Sequence, residues 1–313
     1  MMRPAGFRVL PYGGRGVVGT YWKRVVFQCS ERGESCFMKT ELESICDLVR
    51  ACGEIIKNAD RGNLHVDAKS GHANFVTEYD KLVQEKLRVG LQEIMPDARF
   101  IGEEGSTQQF APIGKFFVVD PIDGTQNFIK DYHLSCVSVA LIVDGAAELG
   151  VVYNPYTDEM FTAQRGAGSF CNGRRLAVSA QPLENAVVLF GTSPYHEDLS
   201  ERSFKLAYSL FRRSLDVRRS GSAALDLCAV AAGRAELFFE LALAPWDYAA
   251  GALIVQEAGG MVTTVAGGAL AYDRQCPVFA RGTGISDTAL DDSNLSRSRA
   301  ALLPDDGDGR LGA

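Results

Sequence analysis

The sequence predicts an α/β protein in which sheets are covered by layers of helices, and three regions carry this prediction. Residues 40–56 and 77–94 place apolar side chains at helical spacing, which predicts two amphipathic helices. Residues 133–163 form short apolar runs separated by turn residues, a pattern typical of antiparallel hairpins. Residues 187–280 alternate strands with helices, which favours sheet layers lying between helices.

Each predicted element has a local signal. Thr40 with Glu43 predicts a capping box at the start of the first helix, and Thr77 with Asp80 predicts a second one. Pro96 is expected to end the second helix. The predicted strands are Phe75–Val76, Arg99–Ile101, Phe116–Val119, His133–Val143, Glu148–Tyr153, Met160–Ala163, Val187–Phe190, Leu215–Arg218, Glu236–Phe239, Met261–Val265 and Val278–Ala280. The later helices are predicted at Glu201–Arg212, Ser222–Ala232 and Tyr248–Ala258, and the Gly-rich run 166–173 is predicted to be a loop.

The domain organisation follows from changes in composition along the 313 residues. Residues 1–37 contain Gly, Arg and aromatic residues without a sustained period, so we expect a disordered N-terminal extension. Residues 38–285 carry all the periodic segments and are expected to form the folded domain. Residues 286–313 are rich in Asp, Ser and Gly, which predicts a disordered C-terminal tail.

The overall composition excludes several classes of protein. Apolar residues make up 46% and charged residues 23%, which is typical of a globular enzyme. The formal charge of −7 disfavours a nucleic-acid partner, and no apolar run is long enough to cross a membrane. The eight cysteines form no C-x-x-C pair, so we interpret them as inert thiols in a reducing cytoplasm.

The run Asp120-Pro121-Ile122-Asp123-Gly124-Thr125 is the most informative stretch of the chain. It follows the apolar strand 116–119, and Pro121 holds the two flanking carboxylates in a rigid, splayed arrangement. Two acids so close together repel each other unless a cation lies between them. The N–H groups of Gly124 and Thr125 would suit an anion such as phosphate beside that cation. A type I turn with a capping Asp is the alternative, and this stretch alone leaves both possibilities open.

Four acidic residues follow short apolar segments in the same way, namely Glu103, Asp120, Asp123 and Asp247. Each has a purely structural explanation, and Asp247 in particular could be the N-cap of the helix that follows it. Four such acids together favour a shared metal site. Carboxylate ligands without histidine select magnesium or manganese over zinc.

Three motifs, in this order and spacing, resemble those of the inositol monophosphatase family. They are Gly102-Glu103-Glu104, the Asp120–Thr125 run, and Trp246-Asp247 through Gly251. The resemblance extends from about Met38 to Arg281, and it includes further elements of the family at Lys69, Thr77–Asp80, Gly221–Ala224 and Glu240. It implies a layered α-β-α-β-α sandwich and Mg²⁺-dependent hydrolysis of a phosphate monoester, most simply inositol monophosphate or a similar polyol phosphate.

The resemblance also implies the ligands of the metal ions. Glu103, Asp120 and the backbone carbonyl of Ile122 would hold one Mg²⁺. Asp120, Asp123 and Asp247 would hold a second. A third, weaker ion could bind Glu103 and water, so two to three ions are expected.

Further roles come from the same resemblance. Thr125, linked to Asp80, would orient the attacking water, with Glu103 as a possible proton acceptor and Lys69 nearby. For Lys69 an ordinary solvated loop position is an open alternative. The substrate would contact Asp123, Asp247, the amides of Gly124 and Thr125, and a pocket for its alcohol part formed by Gly221, Ala223 and Glu240. The family also implies inhibition by lithium and a homodimer.

Two alternative functions remain open at this stage. Relatives in the superfamily act on fructose bisphosphate or phosphoadenosine phosphate, and Arg218 or Arg219 could bind a second phosphate. The other alternative is a regulatory binding protein that keeps this fold and assists a transcription complex. The complete set of acidic residues favours an enzyme that acts on a small phosphate ester.

Overall fold

The computed structural model describes residues 34–69, 75–105, 113–194 and 196–286. Most of the predicted N-terminal extension and nearly all of the predicted tail lie outside these residues, so their predicted disorder stays a prediction. The first helix begins at Glu34, before the predicted domain start at Met38. Thr40 therefore lies inside this helix, and the predicted cap at Thr40 is wrong. Residues 34–39 contain no Gly or Pro that would end the helix.

The helices and strands of the described residues alternate along the chain as the sequence predicted in outline. The α-helices are α1 (Glu34–Lys57), α2 (Glu78–Ile94), α3 (Thr125–Ile129), α4 (Glu197–Phe211), α5 (Ala223–Ala231) and α6 (Pro245–Glu257). The strands are β1 (Val66–Ala68), β2 (Phe75–Thr77), β3 (Arg99–Gly102), β4 (Lys115–Asp123), β5 (Cys136–Val143), β6 (Ala146–Asn154), β7 (Glu159–Gln164), β8 (Gly168–Cys171), β9 (Arg174–Arg175), β10 (Val187–Phe190), β11 (Asp216–Arg218), β12 (Leu237–Leu243), β13 (Met261–Thr264) and β14 (Cys276–Arg281).

The strands form two large sheets and one small one. The seven-stranded sheet has the order β3-β4-β5-β6-β7-β8-β9, and its strands pair antiparallel except for β3 with β4. The five-stranded sheet has the order β11-β10-β12-β14-β13 and contains two parallel pairs. Strand β8 corrects the prediction of a loop over residues 166–173, because pairing with β7 outweighs the poor strand propensity of Gly168.

Helices and sheets stack in five layers. Helices α1 and α2 cover one face of the seven-stranded sheet, where Ile45, Leu87 and Phe117 lie in one hydrophobic cluster. Helices α5 and α6 fill the space between the two large sheets, and α4 covers the far face of the five-stranded sheet. This arrangement confirms the predicted α-β-α-β-α sandwich.

Helix α6 occupies the centre of the sandwich and is apolar around its whole circumference. Its residues 248–255 are all buried, as expected for a helix enclosed by protein on every side. A Cβ on Gly150 of β6 would lie only 2.8 Å from the Ala250 carbonyl oxygen. This close approach requires glycine, and it fixes the position of the acidic first turn of α6.

Strand β4 carries an irregularity at the stretch that the sequence singled out. Its register with β5 shifts between Asp120 and Asp123. Pro121, which has no N–H to donate to a ladder, lies within this shift. Strand β4 continues through Asp123, so both carboxylates are buried within the strand and do not follow its end at Val119 as we predicted.

Candidate active site

Three carboxylates from two elements meet at the centre of the sandwich. Oxygen atoms of Asp120, Asp123 and Asp247 all lie within 4.8 Å of one another. Asp120 and Asp123 come from β4 and are 2% and 7% exposed. Asp247 comes from the first turn of α6, where its Oδ2 accepts the Ala244 N–H at 2.8 Å. The helix begins at Pro245 with Ala244 as N-cap, which rules out the alternative that Asp247 is the N-cap.

Burial and mutual repulsion make this acidic cluster costly when its members are ionised. Burial raises the pKa of Asp120 well above its usual range, and the charges of Glu103, Asp123 and Asp247 raise it further. Burial likewise raises the pKa of Asp247, and it raises that of Asp123 to about 6. A bound divalent cation would remove this cost by pairing with all three charges.

The orientation of the carboxylates fits such a cation. Asp123 Oδ2 accepts the Ser222 hydroxyl at 2.5 Å and the Ala224 N–H at 2.8 Å. Asp120 Oδ1 accepts the Ile122 N–H at 3.0 Å. These hydrogen bonds within the described residues occupy one oxygen of each aspartate and hold the groups in place. A rigid set of carboxylate oxygens is the donor set that Mg²⁺ prefers.

Glu103 lies next to this cluster but is engaged by a lysine. Lys69 Nζ contacts Glu103 Oε1 at 2.9 Å and also pairs with Glu104. The Lys69 side chain is only 23% exposed, so the alternative of a solvated loop lysine does not describe it. Burial alone would lower the pKa of Lys69. The two glutamates outweigh this effect and raise the pKa above its usual range. Burial and the Glu103 charge raise the pKa of Glu104 to about 7.

Thr125 connects the cluster to the start of α2. Its Oγ1 lies 3.4 Å from Asp80 Oδ1 and 3.1 Å from the Ile122 carbonyl oxygen. Asp80 is fully buried, and its Oδ2 accepts the N–H and the hydroxyl of Thr77 at 2.8 and 2.5 Å. Burial raises the pKa of Asp80 to about 6 against these hydrogen bonds. The capping box of α2 therefore also positions the partner of the Thr125 hydroxyl.

Two glycine turns border the carboxylates and touch each other. Gly124 has φ +88°, and a Cβ there would lie 2.8 Å from the Leu134 carbonyl and 3.3 Å from that of Gly221. Only glycine readily adopts this positive φ and also leaves room for the two carbonyl groups. Asn127 Nδ2 donates to the carbonyls of Leu134 and Ser220 at 2.8 and 2.9 Å, which ties the two turns together.

Glu240 lies on the five-stranded sheet, facing the cluster from the other side. It occupies β12 at a register shift with β14, and this strand continues to Leu243, beyond the end that we predicted at Phe239. Its Oε1 accepts the Ser193 N–H at 2.9 Å, and burial raises its pKa to about 7. A Cβ on Gly191 would lie 1.9 Å from Glu240 Oε2, so the glycine makes room for this carboxylate.

Comparison with known proteins places this arrangement in a family. A model described as the inositol monophosphatase family matches residues 38–295. The chain belongs to the inositol monophosphatase family. Membership supports a phosphatase, and together with the acidic cluster it supports dependence on a metal ion. No helix in the described part of the chain is long and apolar enough to span a membrane.

Three similar proteins illustrate the range of the family. The Nus factor SuhB of Vibrio cholerae is 39% identical over 222 residues, which cover 70% of this chain and 82% of that protein. Inositol monophosphatase 2 of Solanum lycopersicum is 38% identical over 242 residues, covering 74% of this chain and 89% of the relative. The solved structure of the Thermotoga maritima IMPase has 30% sequence identity and a TM-score of 0.72, and the match covers 84% of this chain and 98% of that chain.

Several residues of this family member were not assigned a role from the sequence. Ser222 caps α5 directly before Ala223 and also binds Asp123, and its place between Gly221 and a run of small residues was a usable signal. Glu104 was named only as part of a motif, whereas it pairs with Lys69 and its backbone N–H and C=O both bind Gln84. The tie made by Asn127 has no sequence signal, because its partners lie on separate turns.

Proposed function

We propose that this phosphatase hydrolyses a phosphate monoester in a Mg²⁺-dependent reaction, and that its substrate is inositol monophosphate or a similar polyol phosphate. The observation that carries the proposal is the convergence of Asp120, Asp123 and Asp247 beside the Gly124 turn. The relative from Solanum lycopersicum, named inositol monophosphatase 2, supports the choice of substrate.

Asp120, Asp123 and Asp247 are proposed to hold Mg²⁺, joined by the Ile122 carbonyl and by Glu103. When bound, two to three such ions would neutralise phosphate charge and lower the pKa of a bound water, which would supply the hydroxide that attacks phosphorus. Lys69 binds Oε1 of Glu103, so Glu103 can reach the metal through Oε2 or by giving up its contact with Lys69. Lys69 also pairs with Glu104, so its positive charge offsets the negative charges of the two glutamates.

The side chains around the cluster orient the water and handle its proton. The Thr125 hydroxyl has acceptors in Asp80 and the Ile122 carbonyl, so its oxygen lone pairs are free to accept from the attacking water. Glu103 is the proposed proton acceptor. No covalent intermediate with the protein is required, because phosphoryl transfer depends mainly on positioning and charge neutralisation.

The glycine turns are proposed to bind the two halves of the substrate. The N–H groups of Gly124 and Thr125 bind phosphate oxygens, next to Asp123 and Asp247. Gly221, Ala223 and Glu240 surround the alcohol half. The tie between the Gly124 and Gly221 turns through Asn127 supports this division, because it holds the two subsites at a fixed separation.

The proposal is tested by phosphate release from a panel of esters with and without Mg²⁺. The panel contains inositol monophosphates, glycerol phosphate, fructose bisphosphate and phosphoadenosine phosphate. We expect Mg²⁺-dependent release that is strongest with the inositol esters. Release only from a bisphosphate would contradict the substrate class but keep the chemistry, and no release from folded, Mg²⁺-binding protein would contradict the whole proposal.

Lithium inhibition is a second test of the same site. We expect Li⁺ to compete for one of the carboxylate sites and to inhibit the Mg²⁺-dependent reaction. The inhibition is measured as a Li⁺ titration with K⁺ at the same concentrations as the control for ionic strength. Full activity in excess Li⁺ would count against the assignment.

Light scattering on the same sample tests the proposed homodimer.

A regulatory role is the second candidate function, and one observation favours it. The Vibrio cholerae relative at 39% identity is named a Nus factor. A regulatory function that acts through the protein surface would survive Asp123→Asn, whereas phosphatase activity would not. Complementation of a strain that lacks its own SuhB, with the wild type and with this variant, separates the two functions.

A further inference from the structure

Two adjacent arginines lead into the Gly221 turn, and the structure directs them differently. Arg218 ends β11, and its guanidinium pairs with Asp216 on the protein surface. Arg219 lies beyond the strand, and its Nη2 approaches Thr192 Oγ1 at 3.5 Å. Of the two, Arg219 is therefore the one that bridges from the Gly221 turn to the end of β10.

Arg219 reaches the side of the site that contains Glu240. Its Nη1 lies 3.2 Å from the position that a Cβ on Gly221 would take, so the guanidinium lies against this turn. Thr192 precedes Ser193, whose N–H donates to Glu240 Oε1. Burial raises the pKa of Glu240 to about 7, and the Ser193 hydrogen bond and the Arg219 charge both oppose that rise. The guanidinium and the carboxylate thus lie within electrostatic reach of each other.

A second buried carboxylate adds to the charge balance here. Asp226 of α5 is 4% exposed, and it takes no part in the proposed metal site. Burial raises the pKa of Asp226 well above its usual range, the charge of Glu240 adds to this effect, and Arg219 opposes it. The charge of Arg219 therefore partly offsets those of two carboxylates, whereas Arg218 is already paired with Asp216. A second phosphate, with close to two negative charges, would enter an already acidic environment.

The same turn is bound to the reaction centre. Ser222, next to Gly221, donates its hydroxyl to Asp123, and the Ala224 N–H donates to the same oxygen. Arg219 and the Asp123 carboxylate are therefore connected through the short segment 219–224. A substrate group that contacts Arg219 would lie at a fixed distance from Asp123. This geometry suits recognition of the alcohol half of a bound monoester.

We propose that Arg219 is a specificity-determining residue that donates hydrogen bonds to hydroxyl oxygens of a polyol monophosphate, while Glu240 accepts from its hydroxyl hydrogens. A hydroxyl group both donates and accepts, so a guanidinium beside a carboxylate can satisfy neighbouring hydroxyls together. The inference rests on the proposed function and names the feature of the substrate that this subsite selects, namely neutral hydroxyl groups and not a second phosphate.

The test compares Arg219→Ala and Arg219→Lys with the matched control Arg218→Ala in the full chain with Mg²⁺. The substrates are inositol 1-phosphate, ethyl phosphate, which has no hydroxyl on its alcohol half, and an inositol bisphosphate. We expect Arg219→Ala to raise KM for inositol 1-phosphate by about tenfold or more, the scale of one hydrogen bond to a charged group. Ethyl phosphate kinetics and the Arg218→Ala variant should stay near wild type.

Three results would overturn the inference. Equal losses on inositol 1-phosphate and ethyl phosphate would show that Arg219 only supports the turn. A wild type that prefers the bisphosphate, with this preference lost in Arg219→Ala, would show that it binds a second phosphate. Calorimetric binding of inositol 1-phosphate in the presence of Mg²⁺ tests the subsite independently of turnover. A wild type that binds it but hydrolyses no ester refutes the proposed function, and unchanged binding in Arg219→Ala refutes this inference.

Discussion

At the scale of single residues, the site is dominated by closely spaced carboxylates, most of which are buried. Asp120, Asp123 and Asp247 share a space within which their oxygen atoms lie at most 4.8 Å apart, and Asp80 is buried close to them. Protein hydrogen bonds hold one oxygen of Asp123 through Ser222 and Ala224. Such a site is suited to bind a cation. Its activity and its stabilisation by Mg²⁺ should change sharply when one charge is removed.

Asp123→Asn tests the metal site directly. We expect kcat/KM to fall by roughly 10²-fold or more, the scale of losing one electrostatic partner at a reaction centre. The amide oxygen can still accept from Ser222 and Ala224, and one buried charge is lost, so the metal-free variant should melt no earlier than the wild type. Thermal melts with and without Mg²⁺ are the second measurement, and the stabilisation by Mg²⁺ should be lost.

The matched control for this variant is Asp144→Asn. Asp144 is an exposed aspartate in the β5–β6 turn with φ +48°, a conformation that asparagine tolerates well. Its activity and its stabilisation by Mg²⁺ should equal those of the wild type. An Asp123→Asn protein that kept full activity would show that the reaction does not use this carboxylate.

The raised carboxyl pKa values predict an unusual pH dependence. A carboxyl group whose pKa rises on folding contributes stability that is fully present below its unfolded pKa, about 4, and is lost as pH rises through its folded pKa. The pKa is raised to about 6 for Asp80 and Asp123, and to about 7 for Glu104 and Glu240. The metal-free protein should therefore lose stability from these groups between about pH 4 and 7.

Mg²⁺ should reverse this loss because it binds the deprotonated carboxylates. The increase in Tm on adding Mg²⁺ should therefore be small at pH 5 and larger at pH 8. Melting curves in EDTA and in Mg²⁺ across this range provide the measurement, with K⁺ as the control for ionic strength. An equal increase in Tm at both pH values would contradict the protonation of the cluster.

At the scale of elements, helix α6 and strand β4 position the site through their packing. Helix α6 carries Asp247 in its first turn and is buried among both sheets. Strand β4 brings Asp120 and Asp123 into the same layer because Pro121 interrupts its ladder with β5. The position of each carboxylate is therefore a consequence of how these elements pack against each other.

Gly150→Ala should disturb this packing at one point. The added Cβ would lie 2.8 Å from the Ala250 backbone oxygen, so β6 and α6 must separate. We expect the free energy of unfolding to fall by about 1–3 kcal/mol. Displacement of α6 should also weaken Mg²⁺ binding through Asp247. Urea unfolding and Mg²⁺ calorimetry measure the two effects.

Gly268→Ala is the control for this substitution. Gly268 is exposed, and its nearest contact for a Cβ is the Thr264 hydroxyl at 3.3 Å. This variant should retain near-wild-type stability and Mg²⁺ affinity. Wild-type stability in Gly150→Ala would mean that β6 and α6 are less closely packed than the structure shows.

At the scale of the whole molecule, the five layers bury three hydrophobic clusters. Helix α1 covers the cluster that lies between the α1–α2 layer and the seven-stranded sheet. Ile45, Val49, Cys52 and Ile56 of α1 are each at most 1% exposed. The six cysteines whose side chains are described are all free thiols, so the described fold depends on packing without disulfides among them. Stability should therefore respond strongly to the removal of a layer and weakly to removal of chain outside the layers.

Two deletions test this expectation. Removal of residues 1–37 was predicted from the sequence to leave folding and activity nearly unchanged, and the start of α1 at Glu34 moves the preferred boundary to residue 33. Deletion of residues 1–33 should give protein with wild-type Tm and phosphate release. Deletion of residues 1–57 also removes α1, and it should give insoluble or unfolded protein. Loss of soluble protein in the shorter deletion would show that residues 1–33 belong to the folded core.

Several features of the fold and site could be predicted from local sequence because the cause lies within a few residues. The cap at Thr77, the β5–β6 hairpin and strand β10 are of this kind. Errors arose where a local signal was weighed wrongly. Pro245 favours the first helical position, which makes Ala244 the N-cap of α6 and moves Asp247 inside the helix.

The sequence by itself determined the class of fold, the acidic motifs and the family, because spacing and residue type carry that information. Only the tertiary structure decided which groups meet, since Asp123 and Ser222 are 99 residues apart in the chain yet share a hydrogen bond. It also decided that Lys69 engages Glu103, and that Arg219 and not Arg218 reaches the Glu240 side of the site. The physical reason is that strand order and layer packing set long-range distances, whereas local sequence sets only the elements that are packed.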